Sequence, residues 1–306
     1  MDYEETLMAK IAWYYYFENM TQQTISDRMG ISRARVMKLL EKARQTGVIQ
    51  FHLRKGNEDR MALEKQLIDQ FHLEDALVVP AAVKKSETNA NVAEAASMYI
   101  AERLQDGSVI NIGYGDTPSK ILNNLATMAE SPITCVSLTG GVSYYLPDAR
   151  SNVSNARLHL IPAPLIASGP DMAQAMRQES SVLEISRMIS LAQLTVVGIG
   201  SMHDSATIIR SGILNNNDLL YLKMQGAQGD MLCHFLDENG RVLDTPLESR
   251  LISTPLDKLK ELRHVIGVAA GDVKADAIRA ALRGGYLDML ITDDTTAAQL
   301  VAKQST

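Results

Sequence analysis

Cysteine is nearly absent from this chain, with Cys135 and Cys233 the two in 306 residues. They lie far apart, and neither has histidines at metal-ligand spacing. A disulfide framework and a zinc site are both unsupported, and core thiols are expected. The six histidines (His52, His72, His159, His203, His234, His264) form no H-E-x-x-H pattern, and no G-x-S-x-G elbow occurs. Metalloprotease and serine-hydrolase chemistry therefore lack their residues. No apolar run approaches the ~20 residues needed to span a bilayer. The N-terminus, Met1-Asp2-Tyr3-Glu4-Glu5, is acidic where a secretory signal begins basic, so a cytoplasmic protein is expected. Repeats and low-complexity tracts are also lacking.

What is present divides unevenly. A chain of 306 residues exceeds one domain of ~100–200 residues, so two domains are expected. The net charge of −6 argues against nucleic acid only if it is read globally. From Met20 to Lys55 eight basic residues (Arg28, Arg33, Arg35, Lys38, Lys42, Arg44, Arg54, Lys55) stand against Asp27 and Glu41, a local charge of +6 in an otherwise acidic chain.

Three short helices are predicted in that region. The first runs from Glu5 to Phe17, with Leu7, Ile11, Tyr14 and Tyr15 at helical spacing. Thr21 caps a second, which Gly30 ends; Ser32 caps a third, which Gly47 stops. With a turn at Met29-Gly30-Ile31 this is a helix-turn-helix, and the strand-like Val48–Leu53 suggests a wing. Val36, Leu39, Leu40 and Ala43 share the inner side of the third helix. Outside it, Ser32 and Arg33 lie near its N-terminal end and Arg35, Lys38 and Lys42 form a stripe. In a major groove Arg33 and Lys38 would reach base edges, while Thr21, Gln22, Arg35 and Lys42 would meet phosphates. A solvated basic face, or a protein-binding helix-turn-helix, are the alternatives.

The expected division is 1–56 for the DNA-binding domain, 57–72 for a linker helix and 73–306 for an effector-binding and oligomerisation domain. From Ala76 onward apolar strands alternate with amphipathic helices, which predicts an α/β fold with a parallel sheet covered on both faces. Strands are placed at Leu77–Pro80, Ser108–Gly113, Ile133–Thr139, His159–Pro162, Leu194–Ile199, Val265–Ala269 and Met289–Thr292. Helices are expected at Asn91–Leu104, Pro118–Met128, Asp171–Arg177, Val273–Leu282 and Thr295–Lys303, with a hairpin turn at Asp237–Gly240.

The turn Gly113-Tyr114-Gly115-Asp116-Thr117-Pro118 follows the second strand and opens a helix. Its glycines allow close backbone approach, and the helix N-terminus offers N–H groups to an anion. Pro118 stands where a dinucleotide fingerprint has its third glycine, and no Walker A loop is present. An ordinary strand-to-helix turn is the plainer reading. Thr139-Gly140-Gly141, Gly198–Ser201, Ala270–Asp272 and Thr292–Thr296 end other strands, and in an open α/β sheet such loops gather at the carboxyl edge. Lys120 and Lys274 could supply charge to a phosphate, and Asp230 and Asp293 could accept from sugar hydroxyls. Asp293 and Thr296 complete the candidate effector set. An isomerase using Asp230 or Asp293 as general base is the rival reading, with no clear acid partner.

The run Lys10–Tyr16, then Met20–Gln23 and Ile25–Arg28, resembles the start of the SorC family of bacterial sugar-responsive regulators. So do Leu138–Gly141, Ile161–Pro164, Val197–Gly200, Gly226–Asp230 and Asp293–Ala297, so the resemblance spans about residues 8 to 301. It implies a regulator of a carbohydrate or autoinducer-2 operon, binding double-stranded operator DNA and a phosphorylated sugar or polyol in place of any cofactor or metal. It also implies a C-terminal domain of the sugar-phosphate isomerase and deaminase type without catalysis, and a dimer or tetramer. Asp230 and Lys274 then fall on effector-contacting positions, and Tyr15 and Gln22 on positions involved in DNA binding.

Overall fold

The computed structural model describes residues 3–49, 56–128, 132–141 and 156–302. They fall into two compact units, Met1–Glu58 and Asp59–Thr306.

The smaller unit contains α1 (Tyr3–Tyr16), α2 (Gln22–Met29) and α3 (Arg33–Gln45). Both predicted caps form. The Thr24 N–H donates to Thr21 Oγ1 at 3.2 Å, and the Arg35 N–H to Ser32 Oγ at 3.3 Å. Each supplies one of the acceptors that a helix start otherwise lacks. Gly30 ends α2 in the left-handed region (φ +65°), donating its N–H to Ser26 O. The turn is Gly30-Ile31-Ser32, one residue later than expected, because Met29 stays helical. Ile11, Ile25, Val36 and Ala43 are fully buried in its core with Met8, Ala12, Leu39 and Leu40. Val48 and Ile49 pack against that core, the Ile49 N–H reaching Ala43 O; the rest of the expected wing strand lies outside the described residues.

The second unit opens with α4 (Asn57–Phe71), β1 (Asp75–Val79), α5 (Thr88–Ala101), β2 (Val109–Ile112), α6 (Asp116–Met128), β3 (Ile133–Ser137) and β4 (Ala156–His159). It continues through α7 (Pro170–Gln178), α8 (Ser180–Ile189), β5 (Leu194–Gly198), β6 (Gly200–Ser201), α9 (Thr207–Arg210), α10 (Asn216–Met224), β7 (Gly229–Met231) and β8 (His234–Leu236). Last come α11 (Leu256–Leu259), β9 (Val265–Val268), α12 (Ala275–Arg283), β10 (Met289–Asp293) and α13 (Asp294–Ala302). Seven strands form one wholly parallel sheet in the order β1-β10-β9-β5-β2-β3-β4. Each face has its own core, as a doubly covered sheet requires. Ile185 and Ile189 of α8, Ile278 and Ala281 of α12 and Leu300 of α13 bury against one face. Val92 and Ile100 of α5 and Ile121 and Leu125 of α6 bury against the other.

Three local differences from the sequence reading have physical causes. The fourth strand is Ala156–His159 and not His159–Pro162, because the Ile161 N–H leaves the ladder for Ser137 Oγ (2.8 Å) and Pro162 has no N–H to contribute. The helix after β2 starts at Asp116, so Pro118 is its third residue and not its first; an N–H there has no intrahelical partner in any case. A second, antiparallel sheet, β6-β7-β8, was not foreseen, since its strands have two or three residues each. The turn expected at Asp237–Gly240 is present, closed by the Asp237 N–H to Arg241 O and with Gly240 at φ +79°.

The stretch expected to be a linker forms α4, whose later part packs within the second unit. Leu67 is fully buried with Leu63, Ile68 and Phe71 around it, and Glu64 accepts the Val78 N–H at 2.8 Å. Leu67→Ala should lower the unfolding free energy by about 2–5 kcal/mol. Met61→Ala, on the exposed side of the same helix, should change it by less than about 0.5 kcal/mol. Urea denaturation of the two variants checks the contrast.

Candidate functional site

In an open parallel sheet a crevice opens where neighbouring strands send their chains in opposite directions. Here that point lies between β2 and β5, since β2 leads to β3 on one side and β5 leads eventually to β9 on the other. At the carboxyl ends of these strands is a cavity of about 580 Å³. It is lined from the turns after β2 (Tyr114–Pro118), β5 (Gly198–Ser201) and β9 (Ala270–Lys274), by Asp293 and Thr295, by Asp230 of β7, and by Ala206–Ile208 and Arg210 of α9 and its approach.

Most of its charges are already partnered. The Asp116 carboxylate is bonded by Lys120 Nζ of the same helix and by the Asn89 amide (3.1 Å). Burial opposes ionisation, but Lys120, Asn89 and the nearby Arg210 outweigh it and hold that carboxyl below its usual range. Asp272 pairs with Lys85 at 2.6 Å, and Asp293 Oδ1 accepts the Thr296 N–H at 2.8 Å, capping α13. No ion pair engages Lys274 or Arg210 among the described residues. Burial pulls the Lys274 ammonium below its usual value against the attraction of Asp230 and Asp116, and Arg210 and Lys120 add like-charge repulsion.

Asp230 is buried to 3 % exposure, and its Oδ2 accepts the Tyr114 hydroxyl at 2.7 Å and the Cys233 N–H at 3.2 Å. The Cys233 thiol donates to the same tyrosine oxygen at 3.3 Å. Burial pushes the Asp230 carboxyl up, while Tyr114, Cys233, Lys274 and His234 pull it back. A Cβ on Gly200 would collide with Asp230 Oδ1, so this strand position must lack a side chain. The turn between β7 and β8 holds Leu232 (φ +52°) and Cys233 (φ +67°) in the left-handed region, a conformation that costs such residues about 1–3 kcal/mol each.

Of the residues expected to contact an effector, Tyr114, Gly115, Asp116, Thr117, Asp230, Lys274 and Asp293 line the cavity. Gly113, Gly140, Gly141 and Thr296 do not. Gly113 is held in the sheet edge, its N–H on Val196 O and a Cβ there blocked by Leu232. The Gly140 turn ends β3, away from the crevice, and packs so closely that a Cβ would lie 2.5 Å from Pro164 O. Thr296 is fully buried and acts one layer back, its hydroxyl accepting the Gly271 N–H at 2.8 Å. Lys120 is engaged with Asp116. Sequence reasoning missed Lys85, Asn89 and Arg210. The turn after β1 has no glycine to mark it, and only the placement of β1 beside β10 brings it to this edge.

In the smaller unit Tyr15, Thr21, Gln22 and Arg33 line one concave surface with Asn19 and Gln23. The hydroxyls of Thr21 and Ser32 serve as helix caps. Arg33, Arg35 and Lys38 are exposed with no ion pair among the described residues, whereas Lys42 bonds Glu4 at 2.7 Å.

The chain matches a family model described as "Putative sugar-binding domain" over residues 55–302, and one described as "Sigma-70, region 4" over residues 11–46. It is 35% identical over 303 residues to the transcriptional regulator LsrR of Enterobacter sp. (strain 638), covering 98% of this chain and 94% of that one. LsrR of Escherichia coli (strain K12 / DH10B) is 36% identical over 302 residues, covering 97% and 95%. The crystal structure of the full-length sorbitol operon regulator SorC from Klebsiella pneumoniae superposes with a TM-score of 0.69 at 26% identity, covering 98% of this chain and 100% of that one. The chain belongs to the SorC family of sugar-binding transcriptional regulators. Membership in the SorC family makes the helix-turn-helix a DNA-binding element and the α/β unit a sugar-binding domain. It also disfavours the isomerase alternative, since these relatives are named regulators.

Among the described residues no group of three or more histidine, cysteine, aspartate or glutamate side chains could hold a metal ion, and no helix is long and apolar enough to cross a membrane. Both thiols of this SorC-family chain are buried. Burial pushes Cys135 up to about 12 and, with Asp230 beside it, Cys233 well above the usual thiol range. Neither should be alkylated by iodoacetamide at pH 8 in the native protein, and both should react once urea unfolds it. Mass spectrometry of the two samples reads the outcome.

Proposed function

We propose that the cavity binds a phosphorylated sugar or polyol and that its occupation changes the protein's grip on operator DNA. The observation that carries this reading is the pair Lys274 and Arg210. Both cations line a cavity of metabolite size without an ion-pair partner among the described residues, while Lys85 and Lys120 are neutralised locally. A phosphoryl group answers two unpaired cations, and polar side chains such as Asn89, Ser201 and Asp230 answer hydroxyls. Tyr15, Thr21, Gln22, Ser32, Arg33, Arg35, Lys38 and Lys42 supply the DNA contacts, with Arg33 and Lys38 nearest to base edges.

The protein acts as a homo-oligomer, a dimer or tetramer, whose paired recognition helices read half-sites separated by whole helical turns. Effector binding shifts the balance between two arrangements of those helices. Moving the population from nearly all bound to nearly all released requires a preference of ~10⁴-fold for one arrangement.

A thermal-shift screen with sugar and polyol phosphates and their unphosphorylated forms tests the effector class. Stabilisation should require the phosphate and should vanish in Lys274→Ala while operator binding persists; unchanged stabilisation in that variant rejects the assignment. In gel-shift titrations Arg33→Ala should weaken specific binding by about 1–3 kcal/mol, and operator affinity of the unaltered chain should fall steeply with salt.

A further inference from the structure

We propose that Tyr114 is a positioning residue of the effector site: with the Cys233 amide it occupies Oδ2 of Asp230, leaving Oδ1 as the acceptor for a hydroxyl of the bound sugar or polyol phosphate. This rests on the effector reading above and adds the device that distinguishes a hydroxyl-bearing ligand from a bare anion.

The two oxygens of Asp230 are not equivalent. Oδ2 takes both donors, the Tyr114 hydroxyl at 2.7 Å and the Cys233 N–H at 3.2 Å. Oδ1 lies against the bare backbone of Gly200, on the cavity wall, where any side chain at 200 would displace it. A carboxylate bonded on one side only presents its remaining lone pairs in a set direction, and only a donor can satisfy them. The phosphoryl group of a sugar or polyol phosphate cannot, because a phosphate monoester with a second pKa of about 6 is mostly the dianion, whose oxygens are acceptors. A sugar or polyol hydroxyl can.

The arrangement is over-determined in a way that packing alone does not require. Cys233 delivers its N–H from a two-residue hairpin turn in which both central residues have positive φ. Such turns favour Asn-Gly, yet here Leu232 and Cys233 fill it and are both buried. The Cys233 thiol also bonds the tyrosine oxygen (3.3 Å), which fixes the hydroxyl so that its proton points at Asp230. Backbone strain held by converging hydrogen bonds is a feature of functional sites.

The groups facing Asp230 are Tyr114 from the turn after β2, Cys233 and His234 from the turn and strand beyond it, and Lys274 from the turn before α12. Burial raises the carboxyl, and the Tyr114 hydroxyl bond is the largest influence lowering it. Removing that hydroxyl should therefore raise the titration midpoint of Asp230 further. Because recognition needs the carboxylate, it would be lost at a higher pH as the solution is acidified.

The test compares the full chain with its Tyr114→Phe variant by two readouts. The first needs no effector: the Asp230 carboxyl is titrated by ¹³C NMR, its resonance assigned by its loss in Asp230→Asn. The midpoint should be higher in Tyr114→Phe, and identical midpoints would overturn the proposal. The second measures affinity for sorbitol 6-phosphate and for methyl phosphate, which has no hydroxyl, at pH 8, where both phosphoryl groups are dianions. The polyol phosphate should bind about tenfold more weakly to Tyr114→Phe, with methyl phosphate unchanged. Equal loss for the two would mean a general collapse of the site and overturn it. Gly200→Ala, which crowds Oδ1 directly, should reproduce the selective loss, and undiminished sorbitol 6-phosphate binding there would also overturn it. If sorbitol 6-phosphate fails to bind the unaltered chain, the effector reading loses support, and the titration alone decides the role of Tyr114.

Discussion

The pairing of β2 with β5 determines where the loops of the larger unit go. Ile110 aligns with Leu194 and Ile112 with Val196, so two strands far apart in sequence become neighbours at the centre of the sheet. From there the chain leaves β2 toward β3 and leaves β5 toward β9. Parallel strands end on the same edge, so the turns after β1, β2, β5, β9 and β10 all reach the cavity. The Gly140 turn ends the strand on the other side of β2, which is why its glycines serve packing against Ala163 and Pro164 instead.

Charge accounting explains how a wall with four aspartates is compatible with the phosphorylated effector proposed above. Asp116 is held by Lys120 and Asn89, Asp272 by Lys85, and Asp293 caps the helix that follows it. Asp230 is bonded through one oxygen to Tyr114 and Cys233. Among the described residues Lys274 and Arg210 are left without an ion pair, Arg210 exposed and Lys274 partly buried, where interactions of charges are stronger than in water. The depressed ammonium of Lys274 has the same origin, because desolvation first, and then the neighbouring cations Arg210 and Lys120, penalise its charge.

The smaller unit works by a different economy of groups. Its helix starts are satisfied by Thr21 and Ser32, and its core by aliphatic side chains from all three helices. Arg33, Arg35 and Lys38 make no ion pair among the described residues and remain exposed on α3. This is a cationic surface within an acidic chain, so the attraction to DNA is local even though the net charge is −6.

Much of this was legible beforehand because it depends on near neighbours in the chain. Caps, glycine stops and apolar spacing placed α1 to α3 within a few residues, and runs of apolar residues located the seven strands of the large sheet, with β4 displaced where Pro162 ends the ladder. Seven of the eleven residues expected to contact an effector line the cavity for the same reason, since a turn after a buried strand must reach the sheet edge. What the amino-acid order could not show was strand order, which depends on contacts between distant segments. That order removed Gly140 and Gly141 from the cavity and brought in Lys85, Asn89 and Arg210. Nor could it show that Tyr114, Asp230 and Cys233 converge, because a hydroxyl and a carboxylate 116 residues apart meet only after the small sheet has folded over the end of β2. Local propensity and periodicity thus determined the elements and their chemistry, whereas long-range packing decided which of those groups face one another.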